Sequence, residues 1–570
     1  MVSPNLIKQA SLSRGAEINE SAKRLFQVIY TRNQPTSEIS DVDAPRITVS
    51  TVISRVAFIY EKIRNAVQYG EESLIRKSAI FRILKRKILI ESTRAHRNPE
   101  AISQHLLTEL IRAGYLPNGE LPESKIGEVT AILKKYLLLH DTCLEQINAE
   151  MNIKGDVRKV KDLFNEKSKI TDWLMGIAAC EVEENFTPNR FRQAMMSNLY
   201  DFLSENITLS TAYKKYEPER EIQIYLSICR TYARFDEDML AYVLFKYYND
   251  NWATAEYNDE VLKKAIAGAR SLRLEIKRQI NHPLVKQLDR VTKKYALYSK
   301  VMAETIEEDP VKLYNEIYYD EQKFWSRVRK VCTVKYATAK KRLWRAAVRS
   351  IIYIFITKSV FVVLLEVPAT RLFNEPINSI SLFINIIFPA LLLFVIVLFT
   401  RTPGEANTNK IIEGIKELFI KGHERRASLE IRARAQRNKI VSFIFNLIYS
   451  AALIFSVYLI IRALEFIEFN WVSIIIFLFF LAFVSFFSLV TTRGVKDLIV
   501  VPRKENFFTF ILDLFYTPIV LVGRWLSGQA SKLNFFVFFF DFIIEAPFKV
   551  IIEVLEDWTR YTRERRDTMD

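Results

Sequence analysis

Glycine is scarce in this sequence, with only 14 glycines among 570 residues, and that scarcity excludes several kinds of active site. Phosphate-binding loops and dinucleotide-binding folds need glycine-rich turns that bring backbone amides close to the ligand. Neither GxxxxGK[S/T] nor GxGxxG occurs, and HExxH and GxSxG are missing as well. The sequence therefore predicts no catalytic residue and no cofactor. The carboxylate clusters EVEENF and TIEEDP are interpreted as solvated helix ends rather than acid–base pairs.

Cysteine and histidine are also rare. The four cysteines, Cys143, Cys180, Cys229 and Cys332, are far apart and form no CxxC pair. The five histidines are equally scattered, so no metal-ligand spacing is present and no metal site is predicted. We expect structural thiols in a reducing compartment. The N-terminus lacks the apolar stretch of a secretory signal, so the chain is expected to begin in the cytoplasm.

The first 349 residues predict a helical domain. Between about 49 and 326, apolar residues recur at three- and four-residue spacing, as in VISRVAFIYEKIRNAV, while strand-like alternation is scarce. Residues 1–48 are polar and contain prolines, which is typical of a flexible lead, and this lead is expected to surround one short helix near 16–31. The predicted fold class is all-α: a large cytoplasmic α-helical domain followed by a polytopic α-helical membrane domain.

Long apolar runs appear only after residue 349. They cover residues 350–366, 380–400, 440–461 and 471–492. Each run reaches or approaches the ~20 residues that a helix needs to cross a ~30 Å hydrocarbon core. Basic residues flank alternate ends of these runs: nine lie within 327–349 and ten within the 401–439 connection. The positive-inside rule therefore predicts four spans with both termini in the cytoplasm, most plausibly at the plasma membrane or else at an organellar inner membrane.

The last 70 residues contain two further apolar segments, 507–526 and 535–555, that carry charges. In the second segment Asp541, Glu545 and Lys549 follow one another at four-residue spacing, which forms a polar stripe on an apolar helix. Three arrangements are left open: both helices lie in the interface, span the membrane, or form a re-entrant hairpin. The tail that follows is basic.

The juxtamembrane segment 327–349 is a candidate binding region for anionic lipid headgroups. It has no acidic residue, and basic residues beside a span attract anionic lipid. Contact with acidic parts of the protein's own helical domain is the alternative, and nucleic acid is an unlikely partner. The candidate headgroup ligands are Arg327, Arg329, Lys330, Lys335, Lys340, Lys341, Arg342, Arg345 and Arg349.

Lys358 lies in the middle of the first apolar run, where an unpaired ammonium is costly. Glu366 is eight residues further on, which corresponds to ~80° around an α-helix, so it is expected to be a poor partner. Carboxylates of the C-terminal hairpin, most plausibly Asp513 or Asp541 and otherwise Glu545, are the hypothesised partners. Snorkelling of Lys358 to the membrane surface is an equally weighted alternative.

Two asparagines, Asn385 and Asn446, are candidates for interhelical hydrogen bonds. The four runs contain no glycine, which favours a sturdy anchor over a moving transporter. The predicted function is a membrane-anchored helical scaffold or regulatory protein that binds another protein through its cytoplasmic domain. An ion channel or transporter built from intramembrane charges is the first alternative, and a membrane-bound enzyme is the second. The predicted divisions are 1–48, 49–326, 327–349, 350–492 and 493–570.

Overall fold

The structure is a computed structural model, and it describes residues 18–33, 45–49, 72–91, 98–153, 157–186, 190–252, 254, 260–376, 378–421, 428–432, 439–501, 516–517 and 519–527. Almost all regular structure in these ranges is helical, which confirms the predicted all-α class. The strands described, β1 (Ile207–Leu209) and β2 (Leu429–Ile431), form one short parallel pair.

The helical domain precedes the first apolar run. Its helices are α1 (Glu20–Asn33), α2 (Glu72–Glu91), α3 (Pro99–Arg112), α4 (Ser124–Ile153), α5 (Val157–Phe186), α6 (Arg190–Asn206), α7 (Arg220–Thr231), α8 (Glu237–Tyr248), α9 (Glu260–Ile280), α10 (Val285–Glu308) and α11 (Pro310–Tyr319). Side-chain oxygens cap several of their first turns: Asn98 precedes Pro99 in α3, and Asp309 precedes Pro310 in α11.

Four helices in the described residues are long and apolar enough to cross a membrane, as expected of a membrane-embedded protein. The first span is the end of a continuous helical stretch, Glu321–Leu372, which consists of α12 (Glu321–Phe361), a π-helical turn (Val362–Glu366) and α13 (Val367–Leu372). The second, third and fourth spans are α14 (Ser379–Leu398), α16 (Lys439–Phe466) and α17 (Trp471–Lys496).

The π-helical turn has a local cause in the sequence. Pro368 has no amide hydrogen to give to the carbonyl of Leu364, and its ring crowds that carbonyl in an α-helix. A wider turn before the proline relieves the crowding without ending the helix. The amide of Val367 accordingly bonds to the carbonyl of Val362, five residues back.

The connection between the second and third spans packs into the helical domain. Helix α15 (Glu405–Phe419) places Ile411, Ile415 and Leu418 in the main hydrophobic core, and β2 pairs with β1. A Cβ on Gly414 would lie 2.0 Å from the Tyr298 ring, so glycine is needed where α15 approaches α10.

A short helical segment near the C-terminus packs against the fourth span. The Tyr516 hydroxyl lies 3.1 Å from the Ser488 hydroxyl oxygen, and a Cβ on Gly523 would lie 1.9 Å from the Ala482 carbonyl oxygen. The contact on the fourth span moves from residue 488 back to 482 as this segment advances from 516 to 523, so the two helices are antiparallel. Ala482 is near the centre of the fourth span, so this part of the C-terminal region lies at the depth of that span's midpoint.

Candidate functional site

Polar side chains from three spans meet inside the membrane-spanning bundle. Lys358 and Glu366 come from the first span, Asn385 from the second and Ser473 from the fourth, and each is at most 1% exposed. We call these four residues the intramembrane polar cluster. Ionisable side chains are rare at such positions because burying a charge away from water is costly, so their presence marks a candidate functional site.

Glu366 is the centre of the cluster. Its Oε1 accepts a hydrogen bond from Asn385 Nδ2 at 2.6 Å and another from Ser473 Oγ at 2.7 Å. Its Oε2 is buried and has no hydrogen-bond partner among the described residues. Through Oε1, Glu366 therefore links the first, second and fourth spans. Its Oε2 could accept a further hydrogen bond.

Lys358 is held differently. Its ammonium nitrogen lies 3.8 Å from the centroid of the Phe480 ring and 5.6 Å from that of Phe361, which are cation–π distances. In the part of the chain that the structure describes, this nitrogen has no hydrogen-bond partner. Among the described residues, Glu366 is the charged group near enough to act on it electrostatically.

The angle between Lys358 and Glu366 around the first span is smaller than an unbroken α-helix gives, although the described residues show no hydrogen bond or ion pair between the two side chains. The expected ~80° separation assumed an α-helix throughout, but Glu366 is the last residue of the π-helical turn Val362–Glu366. A π-turn adds about one residue to its turn and sets the following side chains back by roughly 100°. The expected ~80° separation becomes roughly 20°, so Lys358 and Glu366 project from nearly the same face of the first span.

Three buried polar atoms of the cluster have no hydrogen-bond partner among the described residues: Lys358 Nζ, Glu366 Oε2 and Asn385 Oδ1. The first is a donor and the other two are acceptors. The cluster therefore places an ammonium and a carboxylate in one buried site, with no hydrogen bond between them among the described residues.

The other predicted intramembrane residues lie elsewhere. Asn446 is on an exposed part of the third span. Asp513, Asp541 and Glu545 lie outside the described residues, so their pairing with Lys358 stays a hypothesis. Ser473 was not among the predicted residues, because a serine next to the helix cap Asn470 carries no distinctive sequence signal.

The basic juxtamembrane residues divide into two groups. Arg327 pairs with Glu316 at 2.7 Å, Lys335 pairs with Glu304, and Arg329 donates to Asn409 Oδ1 at 2.7 Å. The remaining cations of the set are exposed: Lys330, Lys340, Lys341, Arg342, Arg345 and Arg349.

A second polar site joins the helical domain to the membrane-spanning helices. Asn407, 4% exposed, donates to the Tyr336 hydroxyl and to the Leu498 carbonyl, both at 2.9 Å. Its Oδ1 accepts from the amides of Val500 at 2.7 Å and Val501 at 3.3 Å. We call this arrangement the Asn407 junction. It joins three parts of the chain: the helix that becomes the first span, the connection between the second and third spans, and the segment that follows the fourth span.

The helical domain contains a cleft of about 820 Å³ between α4 and α5, and Glu181 and Lys135 are among its lining residues. Glu181 is buried and accepts from the Tyr136 hydroxyl at 2.5 Å and from Trp252 Nε1 at 2.8 Å. Burial, together with the neighbouring Glu181 carboxylate, raises the pKa of Tyr136 well above its usual value.

The interpretation of EVEENF as a solvated helix end was therefore wrong for Glu181 and Glu183, which are 8% and 4% exposed. Glu183 pairs with Arg76 at 2.7 Å. Glu181 follows Leu174 and Ala178 at the i, i+4, i+7 spacing of one helix face, and both of those residues are buried. That spacing was the sequence signal that could have predicted its burial.

No protein-family model matches this sequence, and comparison with curated proteins and with solved structures gives no significant match. The function must therefore be argued from the residues themselves.

Proposed function

We propose that this chain is a multi-pass membrane protein that acts as a membrane-anchored scaffold or regulatory protein through its helical domain. The Asn407 junction is the observation that carries the proposal. Its buried amide connects Tyr336, on the helix that becomes the first span, with the backbone of Leu498 and Val500 beyond the fourth span. A domain joined to its anchor in this way is held in one orientation at the membrane surface.

The first span strengthens the same conclusion. The Glu321–Leu372 stretch contains 52 residues without a break, so it extends from the helical domain into the bundle with no intervening linker. Domains joined by flexible linkers move independently. A continuous helix instead transmits a rotation or tilt of the first span directly to the helical domain.

Packing of the connections supports the proposed topology. Helix α15 and Leu498 belong to the hydrophobic core of the helical domain, so both lie on the same side of the bundle as that domain. Under the positive-inside rule, their basic flanks support the proposal that this side is cytoplasmic. Reporter fusions at Asn378 and Phe469 are expected to be external, and a fusion at Asn409 cytoplasmic. The reverse pattern would contradict the topology.

The cleft between α4 and α5 is the proposed contact region for a protein partner. Gly127 lines it, and a Cβ at this position would meet no atom within 4 Å, so the position tolerates a large side chain. A photo-crosslinking amino acid at Gly127 in native membranes should yield a discrete protein adduct. The same probe at Lys263, an exposed position on α9, is the matched control. Adducts of equal yield at both positions, or none at Gly127, would reject the cleft as the contact region.

An ion channel or transporter is the second candidate, and the intramembrane polar cluster favours it. Residues from three spans converge there, which an anchor does not require. Their burial argues against an open path in the arrangement described. Purified protein in liposomes with imposed proton, potassium and chloride gradients separates the candidates. The anchor proposal expects no flux above empty liposomes, whereas flux abolished by Glu366→Gln would favour transport.

A further inference from the structure

The exposed cations of α12 differ in their depth relative to the second span. Leu343 and Ala347 pack in one apolar cluster with Leu393 and Val397, and the Trp344 ring lies 6.2 Å from the Phe394 ring. The second span ends at Leu398, only one residue beyond Val397. Residues 343–347 therefore lie beside the last turns of that span, at the level where the hydrocarbon core meets the headgroups.

Three arginines share one face of the helix at this level. Arg342, Arg345 and Arg349 follow the i, i+3, i+7 spacing of a single stripe, and all three are exposed. Arg349 Nε donates to the backbone carbonyl of Arg345 at 3.3 Å, which directs the Arg349 side chain back along the helix. None of the three has a carboxylate partner among the described residues. Arg327 and Lys335, nearer the N-terminus of the same helix, each have one.

Below the arginines the same face becomes apolar. Ile352 and Ile356 continue the stripe from Arg349 at i+3 and i+7, and they are 53% and 55% exposed. Tyr353, next to them, is 70% exposed. The cationic end of this face lies at the depth of phospholipid headgroups, and its apolar part lies at the depth of the acyl chains. The face therefore matches an anionic phospholipid along its length.

We propose that Arg345 and Arg349 bind the phosphate of an anionic phospholipid, with Arg342 at the outer edge and an acyl chain along Ile352 and Ile356. Guanidinium groups suit this role because they donate pairs of parallel hydrogen bonds to phosphate oxygens, which an ammonium cannot do. The proposal narrows the nine predicted headgroup ligands to the cations that are both unpaired and at the right depth. It rests on the proposed membrane anchoring.

The test uses full-length protein in detergent, titrated separately with dioleoylphosphatidylglycerol and dioleoylphosphatidylcholine, with bound lipids counted by native mass spectrometry. The wild type should prefer the anionic lipid. Each basic residue near an anionic surface contributes roughly fivefold, so the Arg345→Gln/Arg349→Gln variant should bind phosphatidylglycerol about 30-fold more weakly. Binding of phosphatidylcholine should change little.

Two further variants separate a built phosphate site from general charge. Arg345→Lys/Arg349→Lys keeps both charges and should lose part of the preference, because paired hydrogen bonding is lost. Lys330→Gln/Lys335→Gln removes the same charge from the same helix, ten or more residues from Arg345 and at least ~15 Å along the axis. This control should retain the wild-type preference.

Three results would overturn the proposal: the double glutamine variant keeps its preference, the Lys330→Gln/Lys335→Gln control loses as much, or inorganic phosphate at the same concentration displaces the lipid. The last result would indicate a site for a soluble anion. Extraction of the protein from native membranes by alkaline carbonate would instead contradict the membrane anchoring itself, so the two failures are distinguishable.

Discussion

Asn407 Nδ2 lies 2.9 Å from the Tyr336 hydroxyl, and this hydrogen bond joins the connection between the second and third spans to the helix of the first span. The same amide satisfies backbone groups beyond the fourth span. All hydrogen-bonding positions of the side chain are used in one buried site, so the helical domain and the bundle are expected to lose stability together when it is changed.

Asn407→Leu should destabilise the protein by about 3 kcal/mol, because it leaves the Leu498 carbonyl and the Val500 amide buried without partners. Asn407→Asp keeps the acceptor toward Val500 but places a carboxylate oxygen against the Leu498 carbonyl, so it should be destabilising as well. Thermal unfolding in detergent, monitored by circular dichroism, ranks the variants by their loss of stability. Asn409→Leu, on the exposed side of the same helix turn, is the control, and an equal loss there would contradict a special role for Asn407.

Lys358 and Glu366 should show strong thermodynamic coupling. Lys358→Met or Glu366→Gln alone leaves one buried charge uncompensated and should cost ~3 to 5 kcal/mol, whereas the double variant should be much closer to the wild type. The measurement is a double-mutant cycle: the thermal stability in detergent of the wild type, the two single variants and the double variant. Additive effects would show that the two charges do not depend on each other. Adding Asp513→Asn and Asp541→Asn to the series tests the remaining hypothesis that the C-terminal hairpin supplies a partner.

Gly523→Leu should separate the C-terminal segment from the fourth span, because a Cβ there would lie 1.9 Å from a backbone oxygen that cannot move aside easily. Cross-linking of cysteines at Tyr516 and Ser488 by a short bis-maleimide is the measurement, because the two hydroxyls are 3.1 Å apart but the length of the tyrosine ring separates the two Cβ atoms too far for a direct disulfide. Cross-linking should be efficient in the protein that carries only the two introduced cysteines, and Gly523→Leu should greatly reduce it. Gly494→Leu is the control, since a Cβ at that position meets nothing within 4 Å. Unchanged cross-linking in Gly523→Leu would mean that the helices do not pack closely.

His282 should make the helical domain sensitive to mild acid. Burial lowers the pKa of His282 below 6.5, and the opposing effect of Glu219, 2.7 Å away, is smaller. A histidine whose folded-state pKa is depressed stabilises the fold while it is neutral, and that contribution is lost as pH falls below the unfolded value of 6.5. Replacing it with Gln should flatten the decline in thermal midpoint between pH 7 and 5. An equally steep decline in His282→Gln would assign the acid sensitivity to other groups.

Periodicity and run length in the sequence alone determined the all-α class and the four apolar helices, since a helix face and a membrane span each impose a local pattern that neighbouring residues share. The helix start at Asn98–Pro99 is equally local, because a cap is completed within one turn. Lys358 could be recognised as unusual for the same reason: its neighbours along the chain are all that is needed to see a charge in an apolar run.

Only the tertiary structure decided which buried polar groups share a helix face or a hydrogen bond. Glu366 reaches the face of Lys358 because Pro368 induces a π-turn, and an angular estimate that assumes ideal α-helix geometry cannot include that change. Glu181 and Asn407 bind groups that are 45 to 91 residues away along the chain. Burial of a polar side chain depends on whether such distant partners are brought to it in the folded chain, and one-dimensional spacing does not contain that information.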